Sequence, residues 1–155
     1  MRDISSLRRA ALAAVLGLSA LAIAACGAPK PEDVAINYYT AFAAGDFDAA
    51  VEQIYFPSKV LGDKDANDIC QGKIRQAVDQ AKANAQSKGG VKSIKVTEAK
   101  QIEPDEHGFP RYSVTVEIAA NDNSTDTEST VLINADGTWK VDMMSAPPEV
   151  DLGEP

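Results

Sequence analysis

The sequence predicts an α+β domain in which three amino-terminal helices pack on one face of a four-stranded antiparallel sheet. Two observations carry that prediction. Apolar residues recur at helical spacing from Pro31 to the Lys88-Gly89-Gly90 step, and from Val91 onward the period drops to two. Turn signals then divide the carboxyl-terminal half into four extended runs, the order of a meander. The domain is expected over residues 31–144.

Pro31-Glu32-Asp33 suits the start of a helix, because proline fits the first helical position and the acids complement the dipole. Ala35, Tyr38, Tyr39 and Phe42 then share one apolar face, and Gly45 is the expected stop. Asp46 is the cap of a second helix, with Phe47, Ala50, Val51 and Ile54 on its inner face. Phe56-Pro57 breaks that run, and Ser58 to Lys64 is expected to be an irregular connection. A third helix begins near Asp65, its proposed N-cap, with a stripe of Cys70, Ile74, Ala77, Val78, Ala81 and Ala85.

The first strand spans Val91 to Ile102, with an irregularity expected between Glu98 and Lys100. Pro104 to Pro110 is a turn. Tyr112, Val114, Val116 and Ile118 alternate with polar residues, as in a half-buried strand. Asn121 to Asp126 is a polar turn, Glu128 to Asn134 the third strand, and Asp136-Gly137 the hairpin into Trp139, Val141 and Met143. The acidic tail, residues 145–155, carries Pro147 and Pro148 and is expected to be disordered.

The amino-terminal segment has a different composition. Arg2, Arg8 and Arg9 precede an uncharged stretch of 16 residues, Ala10 to Ala25. As a helix that stretch would span roughly 24 Å, short of a bilayer core of ~30 Å. The pattern is that of a secretory signal over residues 1–25. Its end, Ile23-Ala24-Ala25-Cys26, resembles the lipobox of bacterial lipoproteins, and the resemblance implies cleavage before Cys26 and acylation of its thiol. The plainer alternative is an ordinary signal peptide with a chance cysteine. Residues 26–30 would then form a short lipidated tether, facing the periplasm or the exterior. Gly27 lacks the aspartate that resembles an inner-membrane retention signal, which favours the outer membrane in a cell with two.

The formal net charge is −8. The first 25 residues carry three arginines and one aspartate, so their removal takes the charge from −8 to −10. A nucleic-acid partner is disfavoured by that sign. No Gly-rich phosphate loop, nucleophile elbow or paired cysteines at metal spacing occurs. His107 is the only histidine, too few ligands for a metal site; "NDNSTD" (Asn121 to Asp126) lacks the glycine and distal glutamate of a calcium loop. No metal or cofactor is expected. Cys70, on the third helix's apolar stripe, is expected to be a buried, inert thiol.

Pro31 to Ala50 ("PEDVAINYYTAFAAGDFDAA") and Asp136 to Asp142 ("DGTWKVD") resemble small bacterial lipoproteins of the domain of unknown function 4878 family, within the nuclear-transport-factor-2-like superfamily. The resemblance implies a cone-like fold with a curved sheet, and a fold that hosts isomerases, dehydratases and binding modules alike. Tyr38, Tyr39, Phe42 and Trp139 are the candidate pocket lining. The inner strand faces, Tyr112-Val114-Val116-Ile118 and Trp139-Val141-Met143, hold no carboxylate or histidine, and Glu117, Arg111 and Asp142 are expected to face solvent. The expected function is therefore a lipid-anchored, non-catalytic binding or scaffolding module, with a small apolar ligand or an envelope protein as partner. The alternatives are an isomerase- or dehydratase-like enzyme and an accessory subunit of an envelope complex.

Overall fold

A computed structural model describes residues 27–144; the signal segment with Cys26, and the tail from 145 to 155, lie outside the described residues. Helix α1 (Pro31–Ala44) starts with proline at its first position, and the Asp33 carboxylate accepts the Lys30 N–H at 3.3 Å. Gly45 ends it at φ +74, where a side chain would be strained. Asp46 caps α2 (Phe47–Glu52) by accepting the Ala49 N–H at 3.1 Å.

The expected irregular connection contains a single-turn helix, α3 (Ser58–Leu61). The Pro57 carbonyl accepts from Val60 and Leu61, and the fixed proline φ favours that turn. Helix α4 (Lys64–Ser87) starts earlier than expected: Asp63, not Asp65, is its cap and accepts the Ala66 N–H at 3.1 Å. The layer therefore holds four helices instead of three. None among the described residues is long and apolar enough to cross a membrane.

Four antiparallel strands follow in sheet order β1 (Val91–Ile102), β2 (Arg111–Ala120), β3 (Thr125–Asn134) and β4 (Trp139–Val141). Strand β1 has two irregularities, between Val91 and Ser93 and between Val96 and Glu98, the second a step before the expected place. Strand β3 begins at Thr125, three residues before Glu128. Strand β4 stops at Val141, so Met143 is no part of its inner face and is 45% exposed. The outer edge of β4 is covered, because Val141 N–H donates to Gln53 and Tyr55 N–H donates back to Val141.

The core lies between α1 and the sheet. Val34, Ala35, Tyr38 and Phe42 meet Val114, Val116, Leu132 and Val141, with Ile74 and Val78 of α4 sealing the side. Each such aliphatic side chain contributes about 2 kcal/mol through burial. Asp142, expected to face water, is buried at 8% exposure; its carboxylate accepts the Met144 N–H at 3.0 Å.

The turn after α4 and the β2–β3 turn are fastened together. Asn121 N–H donates to Gly90 and Asp122 N–H to Lys88, while the Asn121 side-chain amide donates to Gly89 at 2.7 Å. Gly89 and Gly90 both hold positive φ here, at +78 and +95.

Candidate ligand-binding groove

Next to those fastened turns the helix and sheet layers part, leaving a groove of about 690 Å³, within the range of small-molecule sites. The sequence makes room there. Ala77, Ala81 and Ala85 recur every fourth residue of α4, on one face, and each ends at Cβ. Ile118 and Ala120 of β2 form the sheet wall, and Tyr38, Tyr39 and Phe42 of α1 the third side.

The aromatic wall is ordered. Tyr38 stands edge-on to Tyr39 at 5.1 Å and tilted against Phe42 at 4.4 Å. Neither phenol hydroxyl has a hydrogen-bond partner among the described residues, although Tyr38 is only 9% exposed as a residue. No buried side-chain polar atom among the described residues lacks a partner, so both hydroxyls reach solvent, on residues that line the groove. Burial, and secondarily the Glu128 charge, pushes the Tyr38 phenol up to about 12. Burial, Tyr38 and Glu128, in that order, push Tyr39 beyond the ordinary tyrosine range. Both are neutral donors at physiological pH.

The fourth side corrects the sequence expectation. Asp126 and Glu128 of β3 line the groove beside Tyr38 and Tyr39. Their register partners are Ile118 and Val116, and directly paired residues share a sheet face, so two carboxylates stand on the inner face. The expectation of none was built from β2 and β4 alone and took β3 to begin at Glu128. The missed signal was the Asp-x-Glu spacing, which puts both acids on one side of a strand. Asp126 is held by the Lys88 ammonium at 2.5 Å. Glu128 makes no ion pair or hydrogen bond among the described residues and is exposed at the rim.

Other candidates lie elsewhere. Trp139 is not in the groove: it stands edge-on to Tyr112 at 5.3 Å, because its register partner is Asn134 at the other end of β3. Cys70 is half-buried and outside the core cluster, since the α4 stripe reaches full burial only at Ile74 and Val78. His107 is at an exposed turn closed by Asp105, whose carboxylate accepts the His107 and Phe109 N–H groups. In the "NDNSTD" turn Asp122 is occupied by Ser124, whose hydroxyl and N–H hold its carboxyl below the usual range. No group of three potential metal ligands occurs among the described residues. Leu61 and Ile69 are the most exposed large apolar side chains of the helices, at 61% and 60%.

A family model described as "Domain of unknown function (DUF4878)" matches residues 24–142. No curated protein matches the chain. Among solved structures, a crystal structure from Campylobacter jejuni, provisionally named an NTF2-like transpeptidase, matches with a TM-score of 0.66 at 23% identity. The match covers 74% of this chain and 99% of that one, and at this identity it shows a shared NTF2-like fold and nothing of the activity in the name.

Proposed function

With the chain belonging to the DUF4878 family as premise, we propose that it is a lipid-anchored, extracytoplasmic module that binds a small, largely apolar ligand in the groove and does no chemistry on it. One observation carries the binding assignment. Two neutral phenols with unpartnered hydroxyls line a groove of small-molecule size, together with alanines of α4. Such a surface offers apolar contact and hydrogen bonds to a ligand oxygen.

Nile red, a neutral apolar dye, tests the groove. It brightens with the wild-type domain and not with Ala81→Trp, which fills the space between α4 and the sheet. Equal brightening by both proteins, with equal melting temperatures, ends this assignment. The anchor rests on Cys26, which lies inside the family match. Multiple acyl chains would hold a protein on a membrane where one is marginal. Cys26→Ser, expressed in a bacterial host, should lose palmitate labelling and accumulate unprocessed precursor; retained label refutes the lipidated cysteine.

A second reading is a proton-transfer enzyme of isomerase or dehydratase type, and one observation favours it: Glu128 stands near two phenols able to stabilise a developing oxyanion. Against it, Glu128 is exposed to water, and Asp126 is neutralised by Lys88. Solvent deuterium entering the carbon beside a bound ketone's carbonyl, lost in Glu128→Gln, would favour the enzyme.

A further inference from the structure

We infer that the groove selects a small organic cation with an apolar part, an alkylammonium in its simplest form, whose charged head sits at Glu128 and whose chain runs along Ala77, Ala81 and Ala85. This rests on the groove being a ligand site, and adds which ligands it prefers. Three charged side chains line the groove. Lys88 and Asp126 cancel one another at the end fastened by the turns. The remaining charge is the one negative charge of Glu128, which no cation of the described residues answers.

The surroundings of Glu128 suit an ammonium in two further ways. Glu128, Tyr38 and Tyr39 line the same groove, so the head would share it with two aromatic rings, whose π surfaces attract cations. The chain as a whole is strongly acidic, at −8, and draws cations toward it. A carboxylate ligand would meet Glu128 as a like charge. A neutral alcohol would use the phenol hydroxyls but leave Glu128 unanswered.

The experiment is calorimetric titration of the folded domain with octylamine, octan-1-ol and octanoate, each below its aggregation concentration. The amine should bind roughly tenfold more tightly than the alcohol, the combined scale of an exposed ion pair and a cation–π contact. Octanoate should bind more weakly than either. Raising the salt to 1 M should weaken the amine alone, since ions screen an exposed pair. Glu128→Gln should bring the amine to the alcohol's affinity without altering the alcohol. If amine and alcohol bind equally and Ala81→Trp abolishes both, cation selectivity is wrong and the groove remains a site. If none of the three binds, or Ala81→Trp leaves binding unchanged, both the selectivity and the groove assignment are overturned.

Discussion

At one end of the interlayer Val114 and Leu132 are 0% exposed and Val141 is 1% exposed, beneath α1 residues Val34 at 2% and Ala35 at 0%. At the other end, on the same strands, Ile118 is half-buried and faces Asp126, while α4 contributes alanines and the polar Gln80, Asn84 and Ser87 but no large apolar side chain. The division runs through β3: its carboxyl-terminal half, Thr130 to Ile133, is buried throughout, and its first half is polar on both faces. One end maximises contact, and the other forgoes it. A strand that was simply half of a core would not carry acids at inward register positions, and the difference is what the proposed binding role requires.

The largest test of that contrast is a pair of truncations. Leu132→Ala should cost about 3–4 kcal/mol in urea unfolding, since it opens a cavity where no neighbour can collapse. Ile118→Ala, beside a groove already open, should cost about 1 kcal/mol. Equal costs would erase the distinction between the two ends.

The second test is alkaline. A phenol whose folded pKa lies above its unfolded value stays protonated in the native state while the unfolded chain ionises. Tyr38 therefore contributes stability below pH 10 that is lost as the pH rises through about 12. That loss is about 3 kcal/mol for a shift of this size. Tyr38→Phe should flatten the alkaline limb of a urea-midpoint profile while changing the midpoint little at neutral pH, because the hydroxyl has no partner to lose.

Gly45 sharpens the contrast at the contact between the end of α1 and Lys82 of α4. A Cβ there would run into the Lys82 side chain, and the residue holds φ +74. Gly45→Ala should cost about 2 kcal/mol from the left-handed backbone and the displaced lysine together. The dye should also bind more weakly, because α1 and α4 are pushed apart. Smallest is Lys88→Met, which removes the ion pair to Asp126. It should cost under about 1 kcal/mol by melting, the range of partly exposed pairs. A loss of several kcal/mol would mean that the groove end is held by charge instead of by the fastened turns.

Much of the closed end was legible in the sequence, because burial leaves a periodic trace. The Gly45 stop, the Asp46 cap and the β2 alternation each have one local cause and lie where that cause puts them. Asp63 and Asp65 are both competent caps two residues apart, and only packing of the whole helix decides between them. The groove was half legible. Tyr38, Tyr39 and Phe42 follow from helical spacing. Glu128 depends on where β3 begins and which residue of β2 it faces, and both follow from the geometry of the Asn121–Ser124 turn between the two strands. Trp139 was misplaced for the same reason: its strand is only three residues long, and its position along the sheet comes from register.

The two edges of the sheet are finished differently, and this bears on how copies of the protein behave together. The β4 edge is hydrogen-bonded to the Gln53–Tyr55 segment, so few of its backbone groups remain to recruit another chain. The β1 edge is twelve residues long and has no strand beyond it among the described residues. A long open edge is a template for intermolecular pairing, a hazard that grows when molecules crowd on one membrane. This edge carries exposed Lys92, Lys95 and Lys100, and two bulges break its hydrogen-bonding rhythm. The lysines and the interrupted ladder both disfavour the pairing of two such edges.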